Sequence, residues 1–428
     1  MKSSLRSRQR LVVLSVDGMR PDFYRQPRDV GLKIPNILNL VESGASADAV
    51  ESVYPSTTYP AHATLVTGVP PRAHGICSHL ASLDPTETAR PWHWFAQAIH
   101  VPALWSAARV KGLKTAAISW PVSVGAPIDY NIPEIWDPAA PDPHHDFQTV
   151  ARHSTPGLFE EMSRALKRVF AQAKPDRLRG EAALYLWKKY RPALLMVHFV
   201  GYDQQAHQHG PVSCEALAAV EQADAEIGRI REAATGGDPV TTVVLSDHGF
   251  VAVEQEVAPL VVFAEEGLFD SNTEGKPELR RLGAVHAGGS FAVYWLGEPT
   301  AEERCSLARA LKRLDATGAV AEVVDRTRLE FLGADPDAEL MLEAAPGYYF
   351  SDRIEGPVVR ASVKDRGTHG HLPTRAGLAA SFVVAGPGVA AGKNLGRIKL
   401  TQVAPTLARE LGLSADMLAS QEEPVDLA

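Results

Sequence analysis

Short apolar runs alternate with helical patterns along this chain, and this alternation constrains its fold more than any other feature. Strands are predicted at Leu11–Val16, Thr115–Ser119, Ala193–His198, Val240–Ser246 and Ala379–Ala385. Helices are predicted at Ile37–Ser43, Ala103–Lys111, Leu158–Ala171, Glu181–Tyr190, Cys214–Ala234, Glu302–Leu314 and Val403–Leu411. The order predicts an α/β fold with a mostly parallel central sheet flanked by helices.

The chain is too long for one simple core. Its 428 residues suggest a large domain that contains a smaller inserted one. Between residues 251 and 360 the pattern changes to short strands, such as Phe291–Leu296 and Ala319–Val324, with one helix and turn-rich connections. We therefore predict a core formed by residues 1–250 and 361–428, with a small α+β subdomain inserted at 251–360.

Composition and charge indicate which classes of molecule this protein is expected to bind. Hydrophobic residues make up 45% of the chain and charged residues 22%, as in ordinary soluble globular proteins. The formal net charge is -8, and the short basic stretches are typical of solvated helix faces, so we expect no nucleic acid polymer as a partner. An acidic protein repels an anionic substrate at long range, and bound divalent cations would reverse that field locally.

The cysteines and the N-terminal segment bear on location. The three cysteines, Cys77, Cys214 and Cys305, form no disulfide framework and are typical of a reducing compartment. The apolar run Leu11–Val16 ends at Asp17 and is shorter than the ~7–15 residues of a signal-peptide core. No apolar stretch approaches the ~20 residues of a membrane helix. We therefore expect a cytoplasmic protein without a membrane segment.

Acidic and imidazole side chains follow the predicted strands. Asp17 comes directly after Leu11–Val16, and the pair Asp247 and His248 follows Val240–Ser246. Parallel sheets place their chemistry at the carboxyl ends of the strands, so these three side chains are expected at one edge. Aspartate and histidine together are suitable ligands for Zn²⁺.

Two further groups complete the candidate ligands. Asp203 and His207 are four residues apart, which places them on one face if the segment is helical. His369 lies between glycines in Gly367-Thr368-His369-Gly370-His371. The residues alone do not distinguish His369 from His371 as a ligand.

Thr58 is the candidate nucleophile. Pro60 suits the first position of a helix, which would place Thr58 just before the helix start. Free backbone N–H groups and the positive end of the helix dipole would favour a phosphate there, and an alkoxide on Thr58. An ordinary N-cap threonine is the alternative interpretation.

In order along nearly the whole chain, these motifs resemble the alkaline phosphatase superfamily, specifically its nucleotide pyrophosphatase/phosphodiesterase branch. The segments that carry the resemblance are Val16-Asp17-Gly18, the Thr-x-Pro-x-His motif at 58–62, Leu65-Val66-Thr67-Gly68, His74-Gly75-Ile76, Ser246-Asp247-His248-Gly249, Thr368-His369-Gly370 and the tail 402–407.

The resemblance implies a set of metal ligands and a nucleophile. It implies two zinc ions per chain, and it favours His369 over His371. It also favours Thr58 over Thr57, because the nucleophile of the family immediately precedes an aromatic-Pro pair. The implied ligands of one ion are Asp203, His207 and His369, and those of the other are Asp17, Asp247, His248 and Thr58.

The resemblance further implies three substrate-binding residues. Tyr59 and Trp136 match the aromatic positions that clamp a nucleotide base in family members. For Trp136, simple core packing is the alternative interpretation. His79 stands where the family has an asparagine that contacts a phosphate oxygen, which is a departure from the family pattern.

The implied function is a two-zinc hydrolase of phosphate diesters or pyrophosphates of the nucleotide type. It would act on small-molecule phosphate esters through a covalent phosphothreonine. A phosphomonoesterase or a phosphonoacetate hydrolase of the same superfamily is the alternative activity. A non-catalytic zinc-binding protein on the same fold is the alternative from another class. The oligomeric state is left open.

Overall fold

The structure is a computed structural model that describes residues 10–84, 87, 89–140, 146–167, 174–235, 239–271, 277–279 and 282–428. Its strands are β1 Arg10–Val16, β2 Ala45–Ser46, β3 Ala49–Glu51, β4 Thr115–Ile118, β5 Tyr130–Ile132, β6 Leu194–Phe199, β7 Val240–Leu245, β8 Val251–Val257, β9 Phe269–Ser271, β10 Pro277–Leu279, β11 Leu282–His286, β12 Ser290–Trp295, β13 Val320–Asp325, β14 Leu340–Ala344, β15 Gly347–Phe350, β16 Val359–Ala361, β17 Gly367–Thr368, β18 Phe382–Ala385, β19 Lys393–Asn394 and β20 Arg397–Lys399.

Helices separate most of these strands. The α-helices are Asp22–Arg25, Pro35–Ser43, Thr58–Thr67, Pro71–His74, Leu104–Val110, Phe147–His153, Leu158–Ala165, Pro175–Tyr190, Gly201–His209, Cys214–Ala234, Pro259–Glu265, Ala301–Asp315, Arg326–Phe331 and Val403–Glu410. The predicted helix Leu158–Ala171 is observed to Ala165, and residues 168–173 lie outside the described residues. Within the described part of the chain, no helix has the length and apolar character needed to cross a bilayer.

The main sheet has eight strands in the order β19-β2-β18-β7-β1-β6-β4-β5. The five strands from β7 to β5 run parallel, whereas β18 is antiparallel to both of its neighbours. This confirms the predicted α/β fold with a mostly parallel sheet. It also places the predicted strand Ala379–Ala385 as a shorter, antiparallel strand at Phe382–Ala385.

Both faces of the sheet are covered by helices. Alternate residues of β1 point to opposite faces because the side-chain period of a strand is two. Val12 and Leu14 join a core with the helices Pro175–Tyr190 and Cys214–Ala234, and Leu11 and Val13 join a core on the other side. Strands buried on both faces read as continuous apolar runs, which explains why these strands were visible in the sequence.

The segment 251–360 contains a second, antiparallel sheet in the order β11-β12-β14-β13. Its core includes Leu307, Ala310 and Leu314 of the helix Ala301–Asp315. Three helices are described here, at Pro259–Glu265, Ala301–Asp315 and Arg326–Phe331, so the prediction of a single helix was wrong. The two additional helices are only seven and six residues long, too short to show a clear helical period. The division at residues 251 and 360 stays a prediction.

Candidate metal centre and active site

Three neighbouring parallel strands deliver the acidic and imidazole residues to one edge of the sheet. Asp17 follows β1, Asp247 and His248 follow β7, and the helix after β6 carries Asp203. The turn after Asp17 depends on Gly18, which has a φ of +71° and donates its N–H to Oδ1 of Asp247 at 3.1 Å. A Cβ at Gly18 would lie 2.9 Å from the Phe250 ring, so only glycine fits this turn without displacement.

Asp17, Asp247 and His248 form the first cluster, and all three are buried. Nε2 of His248 lies 3.4 Å from Oδ1 of Asp17 and 3.2 Å from Oδ2 of Asp247. The other ring nitrogen, Nδ1, lies 3.0 Å from the Gly249 carbonyl. An Nδ1–H that donates to this carbonyl leaves the Nε2 lone pair directed at the carboxylates, as in metal-binding histidines.

Asp203, His207 and His369 form the second cluster, and all three are half-buried. Oδ1 of Asp203 lies 3.5 Å from Nε2 of His207 and 3.5 Å from Nε2 of His369. The helix Gly201–His209 presents Asp203 and His207 on one face, as their spacing predicts. Nδ1 of His207 lies 3.0 Å from the Gly367 carbonyl, which orients this ring in the same way as His248.

The two clusters lie side by side. The rings of His248 and His369 are stacked, with centroids 4.0 Å apart and an interplanar angle of 21°. His371 lies elsewhere, buried against Glu343, with its Nδ1 2.9 Å from Oε1 of that residue. The structure therefore places His369, and not His371, beside Asp203.

Burial and neighbouring charges shift the pKa values of the carboxylates at this edge. Burial, reinforced by the neighbouring Asp247 carboxylate, raises the pKa of Asp17 well above its usual range. Burial also raises the pKa of Asp203. For Asp247, burial opposes ionisation, but His248 and His62 together lower its pKa.

Several ligand atoms at this edge have no hydrogen-bond partner. Among the described residues, Oδ1 of Asp17, Oδ1 of Asp203 and Oδ2 of Asp247 are buried without a partner. A buried oxygen without a hydrogen bond raises the free energy of the folded protein. Coordination of a cation would satisfy these orphaned oxygens. Their combination with imidazole nitrogens fits Zn²⁺.

Thr58 lies next to the first cluster. It is the first residue of the helix Thr58–Thr67, and Thr57 is the N-cap, so Pro60 occupies the third helical position rather than the first. The predicted helix start was therefore two residues late, because proline is also compatible with any position of the first turn. Oγ1 of Thr58 is 3.4 Å from Nε2 of His248. Thr58 is half-buried, whereas Thr57 is only 2% exposed, so Thr58 carries the accessible hydroxyl.

His62 belongs to the site, although sequence reasoning gave it no role. Its Nδ1 lies 2.9 Å from the carbonyl of Thr58 and 3.4 Å from Oδ2 of Asp247, and its Nε2 lies 3.0 Å from Oγ of Ser15. The signal was the four-residue spacing from Thr58, which places both residues on one helix face.

A buried chain of contacts extends from Asp17 to Tyr59 and was also missed. Nε2 of His198 lies 3.0 Å from Oδ2 of Asp17, and its Nδ1 lies 3.3 Å from Oε2 of Glu134. Tyr59 donates its hydroxyl to Oε1 of Glu134 at 2.8 Å. Burial disfavours the His198 cation, but the contacts with both carboxylates outweigh it and raise its pKa to about 10. The feature of the sequence that could have revealed this chain is His198 itself, a histidine near the end of a buried strand to which sequence reasoning gave no role.

The predicted substrate-binding residues have different surroundings. Tyr59 is fully buried and donates its hydroxyl to Glu134, and its stacking on a base stays a prediction. Trp136 is half-buried, with its ring centroid 4.8 Å from that of Trp92. His79 is half-buried and also contacts the Trp92 ring, with centroids 4.8 Å apart.

The fold and the site together define a class: an α/β protein with paired acid–imidazole clusters and an accessible threonine at the carboxyl edge of its sheet. The family described as type I phosphodiesterase / nucleotide pyrophosphatase matches residues 11–372. The chain belongs to this family, which confirms the resemblance seen in the sequence.

Relatives with curated descriptions are similar over part of their length. Venom phosphodiesterase 2 of Crotalus adamanteus is 27% identical over 251 residues, which cover 56% of this chain and 26% of the relative. Ectonucleotide pyrophosphatase/phosphodiesterase family member 3 of Mus musculus is 26% identical over 252 residues, which cover 56% of this chain and 24% of the relative. The match thus spans about a quarter of the length of these relatives.

Solved structures share the fold over nearly the whole chain. Human ectonucleotide pyrophosphatase/phosphodiesterase 5 superposes with a TM-score of 0.66 at 15% identity and covers 98% of this chain and 97% of its own. The murine protein, as an inactive threonine-to-alanine variant in complex with AMP, gives a TM-score of 0.63 at 18% identity, with 95% and 96% covered.

Proposed function

We propose that this protein is a two-zinc hydrolase of phosphate diesters or pyrophosphates of the nucleotide type, with Thr58 as its nucleophile. The observation that carries the proposal is the convergence of the Thr58 hydroxyl with two acid–imidazole clusters at one sheet edge. Family membership and the AMP complex of a murine structural neighbour support a nucleotide-type substrate.

The residues that would hold the two ions are those of the two clusters. Asp17, Asp247 and His248, together with Thr58, would bind one ion, and the second cluster would bind the other. When bound, the cations supply Lewis-acid chemistry that favours the Thr58 alkoxide and the negative charge on the leaving oxygen. The orphaned carboxylate oxygens lie where such ions would be coordinated.

Thr58 carries the covalent step of the proposal. Its Oγ forms a bond to phosphorus while the bond from phosphorus to the leaving oxygen breaks, and the leaving group departs with the electron pair. Water then cleaves the phosphothreonine, which releases the phosphate ester and restores the hydroxyl. His62 positions the nucleophile, because it contacts both the Thr58 carbonyl and the Asp247 carboxylate.

Three substrates separate the candidate activities. The zinc-loaded protein is expected to hydrolyse bis-p-nitrophenyl phosphate faster than p-nitrophenyl phosphate, and phosphonoacetate slowest. A faster rate on the monoester or on phosphonoacetate would support the alternative activities instead. Two bound zinc ions without hydrolysis of any of the three would identify a non-catalytic zinc protein. The cytoplasmic location stays a prediction that fits the three free cysteines.

A further inference from the structure

The helix that carries two residues of the second cluster begins without a cap of its own. The helix Gly201–His209 follows β6 after one intervening residue, Val200, which is the N-cap and has an apolar side chain. The first N–H groups of a helix have no acceptor within the helix, and a polar N-cap side chain usually supplies one. Valine cannot accept a hydrogen bond, so these N–H groups depend on an acceptor from elsewhere in the chain.

Asp176 supplies this acceptor from the neighbouring helix Pro175–Tyr190. Its Oδ1 accepts the N–H of Val200 at 3.1 Å, and its Oδ2 accepts the N–H of Gly201 at 2.8 Å. Asp176 is only 4% exposed, and Arg179 donates to its Oδ1 at 2.9 Å, which fixes the carboxylate from a third direction. A Cβ at Gly201 would lie 2.5 Å from Oδ2, so the helix start is in close contact with this carboxylate.

The start of this helix determines where two of the three ligands of the second cluster lie. Asp203 and His207 are on one face of the helix, with Oδ1 and Nε2 3.5 Å apart. The same Oδ1 is 3.5 Å from Nε2 of His369, which comes from a different segment. A metal site requires its ligands within about 0.2 Å of the ideal distances, so a small displacement of the helix relative to His369 would weaken binding.

A second buried aspartate has the same structural role at a helix that carries no ligand. Asp224 is 2% exposed and accepts the N–H groups of Asn36 and Ile37 at 3.2 and 2.7 Å, at the start of the helix Pro35–Ser43. The N-cap of that helix, Ile34, is also apolar. Both clusters take their residues from other segments. The two aspartates are therefore matched in burial and in their hydrogen bonds to a helix start, and they differ in what the helix carries.

We propose that Asp176 is a positioning residue for the second metal ion, and that its carboxylate holds Asp203 and His207 at the distance from His369 that zinc requires. The inference rests on the proposed function, because it takes the second cluster to be a zinc site. Asp176 acts through the backbone N–H groups at the helix start. Its negative charge also stabilises the partial positive charge of the helix N-terminus.

Two single-cluster backgrounds test the two ions separately. His248→Ala keeps the second cluster and His369→Ala keeps the first, so each protein is expected to bind one zinc ion. Asp176→Asn keeps the size of the side chain but loses its charge and one acceptor oxygen. We expect it to raise the zinc Kd, measured by competition with a chromophoric chelator, by about tenfold or more in the His248→Ala background and by less than about twofold in the His369→Ala background. Gly201→Ala, which places a Cβ against the same carboxylate, should reproduce this selective loss.

Asp224→Asn is the matched control, because it weakens an equivalent cap. Its effect on the melting temperature of the metal-free protein should be comparable with that of Asp176→Asn, but it should change the zinc Kd by less than about twofold in either background.

Several outcomes would overturn the inference while the proposed function stands. These are equal weakening of both clusters by Asp176→Asn, no weakening of the second cluster, and an equal loss of zinc affinity with Asp224→Asn, which would show that only general stability matters. A His248→Ala protein that binds no zinc, although the wild type binds two ions, would also overturn it. If the wild-type protein binds fewer than two zinc ions per chain, the proposed function fails as well.

Discussion

The hydroxyl oxygen of Thr58 lies 3.4 Å from Nε2 of His248. The same nitrogen is 3.4 Å from a carboxylate oxygen of Asp17 and 3.2 Å from one of Asp247, so the hydroxyl and the first cluster converge on one small volume. His62 connects the Thr58 carbonyl to the Asp247 carboxylate from the same helix. The proposed nucleophile is thus held by a helix and two strand ends rather than by a free loop.

Replacing Thr58 by alanine should abolish turnover without removing the metals. We expect Thr58→Ala to lower kcat/KM for bis-p-nitrophenyl phosphate by at least about a thousandfold, because the attacking oxygen is lost. Zinc content, measured by atomic absorption, should stay near that of the wild type. Thr57→Val is the matched control, since the Thr57 hydroxyl has no partner among the described residues. A Thr58→Ala enzyme within tenfold of the wild type would rule out the covalent step.

The second cluster should determine half of the zinc content. His369→Ala removes one of three ligands around Asp203, and we expect the bound zinc to fall from two ions to one per chain. The control His209→Gln should keep both ions. The readout is metal analysis of dialysed protein, so it does not depend on activity. Two ions retained in His369→Ala would contradict the assignment of this histidine.

Metal removal should destabilise the fold. Without cations, the carboxylates of Asp17, Asp203 and Asp247 repel one another, and each keeps one buried oxygen without a hydrogen-bond partner. Zinc at a hundred times its Kd would stabilise the folded state by about 2.7 kcal/mol per site. A chelator should therefore lower the melting temperature by several degrees, and added zinc should restore it. An unchanged melting temperature would show that the clusters bind no metal.

His198 should be important for stability as well as for the site. His198→Phe leaves the carboxylates of Asp17 and Glu134 without their shared buried partner. Removal of one member of a buried charged pair typically costs about 3–5 kcal/mol. Urea unfolding of the metal-free protein measures this loss. The exposed substitution His209→Phe should stay within about 0.5 kcal/mol of the wild type. Equal midpoints for the two variants would show that the contacts of His198 do not stabilise the fold.

Gly370 should tolerate no side chain. Its φ is +86°, and a Cβ would lie 1.6 Å from the carbonyl oxygen of Ala287, so Gly370→Ala must push the second sheet away from the ligand strand. Gly31 is the control, because its φ is +70° but nothing lies within 4 Å of its Cβ position. Gly31→Ala should cost only the left-handed strain of about 1–2 kcal/mol. Gly370→Ala should cost clearly more and lower the zinc content. Equal losses in thermal unfolding would contradict the close contact.

The strands of the main sheet were predictable because they are buried on both faces and appear as continuous apolar runs. The short helices of the segment 251–360 were not, since a helix of six or seven residues shows less than two full turns of periodicity. The start of the helix at Thr58 was misplaced because Pro60 fits several positions of a first turn. The complete burial of Tyr59 could not be predicted, because it depends on residues that are distant along the chain.

The sequence by itself determined the fold class, the family and the candidate ligands, because strand-end motifs and their order are local patterns that survive in one dimension. Only the tertiary structure decided which side chains meet. It brought His369, which the resemblance already favoured over His371, next to Asp203. It also added His62 and His198 to the site and brought His286 next to His79. The physical reason is that these contacts join residues tens to hundreds of positions apart, whose distances depend on sheet order and packing and not on spacing along the chain.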